Sequence, residues 1–399
     1  MSRKLLLIDG SSLLSTHYHG NLPRQLQGVS DMAKREALFP KILHTSDGVY
    51  TNAMFGMLKA VLKIIREQQP SHIAVAWDVS RNTFRRQIAS DYKGTRKETD
   101  PPLKEQFKNM QDLLSAIGIK QLMSDPNASI SEVFEADDYL GSMAAKFEEE
   151  IPVYLLTKDN DYLQLVSNHT RLWLVTSKSK ELVQRFYPDC AGVLPEGVVE
   201  LTPPLVELYQ GVTPEQCLDL KALCGDASDN ISGVKGVGEK SAVPLIREYK
   251  TIENLYAHIE GLTAEEEKFL KEFWKVDLGI ARSPLKFLLQ QESEDKKSGK
   301  ASAFESKALG RIKRDIPLDY TLDDLKTHID EEALRVQCKR YEFNSLLVQD
   351  EEEKSVKKTV KEMKFSEPEL EFIAAVKKTQ EVKQNTEESI NKNEQMSLF

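Results

Sequence analysis

Four short apolar runs, separated by stretches of helical periodicity, set the frame of this chain: Leu5–Ile8, Ile73–Trp77, Val153–Leu156 and Leu172–Val175. Runs this short, without polar alternation, read as strands buried on both faces, as in a parallel sheet. Between them, apolar residues recur at helical spacing. One set is Met54, Met57, Leu58, Val61, Leu62 and Ile65, from about Thr51. A second is Leu103, Phe107, Met110, Leu113, Leu114 and Ile117, after Pro101-Pro102. A third is Tyr139, Leu140, Met143, Ala144 and Phe147. Alternation of this kind predicts an α/β fold with a parallel sheet. The stretch after Gly10 to about Val49 is irregular and partly polar. Between about Gln184 and Pro204 the pattern becomes loop-like, which places a domain boundary there. Helical patterning follows, then a polar linker over about 290–307 and renewed order from 315 to 347. From about Asp350 the chain is rich in Glu and Lys with little apolar content and is expected to be mostly disordered. The expected divisions are 1–200, 201–348 and 349–399.

Three of the strands run into aspartates: Asp9, Asp78, and Asp159 with Asp161. In parallel sheets ligands sit beyond the carboxyl ends of the strands, so these acids share one rim. Glu135, Asp137 and Asp138 precede the third helical run and can join them. Taken alone, that triplet is an acidic first helical turn, favoured by the helix dipole. Assembled with the others it is a charge problem. Two carboxylates about 4 Å apart repel by roughly 4 kcal/mol at an effective dielectric near 20. Six or seven on one rim call for cations, and an all-oxygen donor set points to Mg²⁺ or Mn²⁺ rather than zinc.

Composition narrows the class. The 399 residues carry a net charge of −9, which at face value disfavours nucleic acid, but the acids are bunched at the rim and in the tail. No run approaches a membrane span, and the first apolar run is cut at Asp9, so neither membrane insertion nor a signal peptide is expected. Cys190, Cys217, Cys224 and Cys338 show no paired spacing, which fits reduced thiols in a cytoplasm.

Local charge is more informative. The segment 81–97 holds Arg81, Arg85, Arg86, Lys93, Arg96 and Lys97 against Asp91 alone, with Phe84 and Tyr92 interleaved. A solvated surface helix would have this composition. Its place directly after Asp78 suits a phosphate backbone with bases stacked on a ring. Further on, Gly233-Val-Lys-Gly236-Val-Gly238 followed by a helical run makes a tight hairpin between helices, with backbone N–H groups and a helix N-terminus facing a phosphate. Glu239 stands where a P-loop needs lysine. Such hairpins grip duplex backbone, often around a monovalent cation, and Asp226 and Asp229 just upstream can add ligands to the rim. The final Gln395-Met-Ser-Leu398-Phe399 puts two large apolar residues at the end of a polar tail, as an anchor for a partner's groove would.

Together these residues resemble the 5′-nuclease family: the 5′→3′ exonuclease domain of bacterial DNA polymerase I and its stand-alone flap endonuclease relatives. The resemblance covers roughly residues 3–348. It rests on Ile8–Ser12, Trp77-Asp78, Thr83–Arg85, Tyr92-Lys93, Glu135–Asp138, Asp159-x-Asp161, Gly225–Ile231, Gly233–Ala242 and Lys339–Phe343. It implies a PIN-like nuclease core with a basic helical arch over about 79–110, a helix-hairpin-helix domain, and two Mg²⁺ ions (Mn²⁺ as substitute). Asp9, Asp78, Glu135 and Asp137 would hold the first ion; Asp138, Asp159, Asp161, Asp226 and Asp229 would lie at or near the second. Lys93 and Arg96 would contact the scissile phosphate from the arch, with Arg85 at its base. Tyr92 would stack on the displaced nucleotide, beside Arg81 and Arg86. Gly233, Gly236, Gly238 and Lys240 would hold duplex DNA with K⁺. The last five residues resemble the bacterial sliding-clamp-binding motif. The implied protein is a monomeric, cytoplasmic, nucleoid-associated enzyme that cleaves 5′ ends or flaps in replication and repair.

The resemblance has departures. The 17–49 stretch is longer than the family needs and has no assigned role. Lys158 stands where the family has Gly, Asn160 where it has Lys, and Ser232 where it has Pro. With some 50 residues beyond the resemblance, the expectation is a stand-alone nuclease. Two other readings compete: a single-strand ribonuclease on a similar core, which the duplex-gripping hairpin disfavours, and a catalytically decayed DNA-binding scaffold, which the complete set of acids disfavours.

Overall fold

All four apolar runs form strands, and two more strands join them in a mixed sheet. The computed structural model describes residues 2–187, 194–292 and 297–347. The strands are β1 (Ser2–Asp9), β2 (Pro70–Ala76), β3 (Lys120–Leu122), β4 (Val153–Thr157), β5 (Thr170–Val175) and β6 (Val198–Leu201), in the order β3-β2-β1-β4-β5-β6. Every pairing is parallel except β5 with β6. β1 is central, with Leu6 opposite Ile73 on one side and Tyr154 on the other, and Leu5 to Ile8 are fully buried. Burial on both faces is why these strands lack polar alternation.

The helix Asn52–Gln68 buries Met54, Met57, Leu58, Val61 and Ile64. The helix Pro101–Ala116 opens on prolines, which cost nothing where no N–H bond is due. Two expectations need correction. The stretch after Gly10 is not irregular: Gly10–Gly20 is a helix whose N-terminus is capped by Asp9, accepting from the Ser12 N–H at 2.9 Å. Glycine is required at its start, because a Cβ at Gly10 would lie 2.7–2.9 Å from Val75 and Trp77. The boundary stretch begins inside the helix Ser179–Phe186 and holds all of β6, whose four residues carry too short a pattern to read.

Helices from Pro203 to Gly310 surround a separate apolar core that includes Leu223, Leu245, Leu255, Trp274 and Leu285. The chain then returns to the sheet: Ile312 and Leu325 join the core of the strands and the helix Ala136–Phe147. Residues to Glu342 make one compact unit. Phe343–Phe399 is a second unit, and in its described part Leu346 N–H bonds the Phe343 carbonyl at 3.0 Å.

Candidate metal and nucleic-acid site

The carboxyl ends of β1, β2 and β4 and the N-terminus of the helix Ala136–Phe147 open on one cleft of about 1720 Å³. Asp9, Asp78, Glu135, Asp137, Asp159, Asp161 and Asp229 all line it. Asp226 stands beside them: carboxylate oxygens of Asp161, Asp226 and Asp229 lie within 4.8 Å of one another, and these three could hold a metal ion. An all-carboxylate set of this kind suits a hard divalent cation. Eight of the nine expected acids therefore meet.

Their electrostatics show the crowding. Burial, and then Asp78, push Asp9 up to about 6, even though it accepts from Ser12, Thr157 (2.9 Å) and Tyr162 (3.2 Å). Burial and Asp159 raise Asp161 to about 6. Burial, then Asp138, carry Asp137 well above the carboxylate range. At Asp226 burial works in the same direction, but the Lys221 ammonium and the Ser228 donors prevail and hold it at about 2. Glu135, also buried, is kept low by Lys93 and Arg85.

Asp138 is the exception. It is wholly buried, receives both guanidinium arms of Arg85 at 2.6 and 2.8 Å, and accepts the Lys313 and Glu135 N–H groups. Arg85, 1% exposed, also donates to the Leu309 and Arg311 carbonyls, both at 2.9 Å. The expected metal ligand and the expected catalytic arginine thus form a buried pair that joins the sheet to the helical region, with no opening to the cleft.

The basic segment departs from the expected helical arch. Between 79 and 100 only Arg85–Ile88 is helical, and the residues after it turn back onto the acids. The Lys93 N–H bonds the Asp229 carbonyl at 2.9 Å, and the Asn230 side chain bonds the Asp91 carbonyl. The Lys93 ammonium is 2.5 Å from Glu135, and Arg96 pairs with Asp229. Tyr92 is not placed to stack on a base. It is 2% exposed, packed with Ile231 and Leu309, and its hydroxyl donates to Glu135 and Asp229. Arg81 and Arg86 brace the segment itself, through the carbonyls of Arg96 and Lys97 and of Tyr92 respectively.

The three hairpin glycines serve different ends. Gly233 is buried at φ +60°, and a Cβ there would sit 2.3 Å from the Gly225 nitrogen; Gly236, at φ +87°, lies against the Phe287 ring. Both are demanded by internal packing rather than by approach to a ligand. Gly238 is exposed with open space before it, at the start of the helix Glu239–Tyr249, and Lys235 and Lys240 flank it in solvent. Gln395, Leu398 and Phe399 lie outside the described residues.

Two models of 5′-3′ exonuclease domains match the chain, the N-terminal resolvase-like domain over residues 4–188 and the C-terminal SAM fold over 212–333. A 5′-3′ exonuclease of Halalkalibacterium halodurans is 36% identical over 274 residues, 67% of this chain and 77% of that protein. The chain belongs to the 5′-3′ exonuclease family. DNA polymerase I of Bacillus caldotenax is 34% identical over 349 residues, 87% of this chain, and the chain spans about a third (32%) of that protein's length. A solved T5 5′-exonuclease with bound zinc, 18% identical, overlaps 77% of this chain and 89% of its own at a TM-score of 0.48, too distant to carry an argument about the site.

Within this family member, sequence reasoning overlooked Lys221. Its ammonium lies 2.6 Å from Asp161 and 2.8 Å from Asp226, five residues before the latter on the helix Pro214–Cys224. A single lysine on a helix gives no signal of this; only the fold brings Asp161 to it. Thr157 and Tyr162, which orient Asp9, were equally silent. The 17–49 stretch finds a place as well. Arg35 and Tyr18 bind Asp100 at the head of the helix Pro101–Ala116, and Val29, Ser30 and Met32 line the cleft.

Proposed function

We propose that this chain hydrolyses phosphodiester bonds at 5′ ends or flaps of duplex DNA. The observation that carries the reading is the convergence of seven carboxylates with Lys93, Arg96 and Lys97 in a single cleft, with Asp226 beside them. Asp9, Asp78, Glu135 and Asp137 would hold one divalent ion, and Asp161, Asp226 and Asp229, with Asp159 near them, a second, with Mg²⁺ or Mn²⁺ fitting the oxygen donors. Such ions supply an activated water and stabilise charge on the phosphate. Lys93 and Arg96, which pair with Glu135 and Asp229, would exchange those carboxylates for the scissile phosphate and offset its developing charge. Gly238 and the first turn of the following helix would receive the duplex backbone, with K⁺ between. Backbone contacts carry little sequence information, so selection would be by structure.

The reading divides the chain into a nuclease core to about 200, a hairpin domain to about 348 and a tail that tethers a monomer to the bacterial sliding clamp through Gln395, Leu398 and Phe399. A cytoplasmic, nucleoid-associated enzyme fits a chain in which no described helix is long and apolar enough to cross a membrane.

The test is cleavage of a 5′-labelled flap duplex with Mg²⁺, beside EDTA and Asp159→Ala controls. Metal-dependent release near the junction, lost in both controls, is expected. Tight duplex binding without cleavage would favour the scaffold, and digestion of single strands alone the ribonuclease.

A further inference from the structure

The two halves of the acid cluster are compensated differently. Asp9 accepts from the neutral donors Ser12, Thr157 and Tyr162, and Asp78 from the Ala136 N–H. Arg85 lies 3.6 Å from Asp137, but its guanidinium is committed to Asp138. Lys93 pairs with Glu135 in this half, whereas in the other half protein cations hold all three of Asp161, Asp226 and Asp229. Lys221 bridges Asp161 and Asp226, Arg96 pairs with Asp229, and the Lys221 side chain is only 11% exposed. Its ammonium occupies the position between two carboxylates that an incoming divalent ion would share.

We propose that Lys221 is a positioning residue that competes with the second divalent ion for Asp161 and Asp226, making the two metal positions unequal in affinity and coupling the weaker one to substrate. The inference rests on the metal reading given above. A divalent ion cannot share both carboxylates with a unit positive charge about 3–4 Å away without strong repulsion. The ammonium must swing aside, and a phosphodiester entering the cleft offers it another anion. Nucleic acid and the second ion then bind cooperatively, and by linkage each strengthens the other equally.

The experiment is calorimetric titration of the full chain with Ca²⁺ and Mn²⁺, with and without a flap duplex in Ca²⁺, for wild type, Lys221→Met and Lys221→Arg. Wild type should bind one ion well and the next weakly, with the weak site tightened by the duplex. Lys221→Met should tighten the second site by at least about tenfold and reduce the gain from the duplex. Lys221→Arg should keep the wild-type pattern. Circular dichroism checks folding, and Lys221→Gln replaces the methionine variant should that one unfold. An isotherm unchanged on removal of the charge, or equal weakening of both sites, overturns the proposal. Wild type that binds no divalent ion would instead remove the metal reading itself.

Discussion

Replacing Arg85 by methionine separates a structural arginine from a catalytic one. The substitution keeps the aliphatic stem but removes a guanidinium that satisfies four acceptors: both oxygens of Asp138 and the carbonyls of Leu309 and Arg311. Asp138 has no exposed surface, so water cannot take the place of the lost charge. Breaking one side of a buried ion pair costs about 3–5 kcal/mol. The two stranded carbonyls each add about 1–3 kcal/mol where water does not reach them. The loss should therefore be at least about 3 kcal/mol, a large share of the roughly 5–15 kcal/mol typical of a folded unit. The assay is urea unfolding followed by fluorescence of Trp77, Trp173 and Trp274, all buried, with Trp173 in β5 and Trp274 in the helical core. Arg85→Met should unfold at markedly lower urea, while Arg85→Met with Asp138→Leu should recover most of the loss, because no unpaired charge remains. Arg85→Lys should rescue poorly, since one ammonium cannot reproduce the planar fork across four acceptors. A single variant with wild-type unfolding but abolished cleavage would refute the argument and return Arg85 to the reacting phosphate.

Other consequences follow from the same geometry. Tyr92→Ala should destabilise the protein by about 3 kcal/mol or more as a buried aromatic is lost, with Tyr92→Phe close to wild type; weaker flap binding at unchanged stability would mean the ring stacks on a base. Gly233→Ala should lower stability by more than about 1–2 kcal/mol, the usual cost of left-handed backbone, because its Cβ also meets Gly225. Gly238→Ala should fold normally and lose duplex affinity. Asp9 and Asp161 hold their protons up to about 6, so an ion must displace them at lower pH. Divalent affinity measured by calorimetry should therefore hold above about pH 7 and fall below about pH 6, approaching tenfold per unit for each proton released; a flat profile down to about pH 5 would show that these two acids do not bind the ion.

What the sequence determined by itself was the frame. A strand buried on both faces must be apolar throughout, so β1, β2, β4 and β5 were visible as runs, and an aspartate at the end of such a run must emerge at the sheet's carboxyl rim. That physical necessity made Asp9, Asp78 and Asp159 legible before any fold was known. β3 and β6, at three and four residues, were too short for any period to show. The tertiary structure decided which charges meet. Glu135, Asp137 and Asp138 are adjacent in the chain, yet the turn of one helix sends the first two toward the cleft and the third into the core against Arg85. Lys221 and Asp161 lie 60 residues apart and share an ion pair that no local pattern encodes. Spacing along a chain specifies which side chains share a face; which partner lies opposite that face is settled only when distant elements pack.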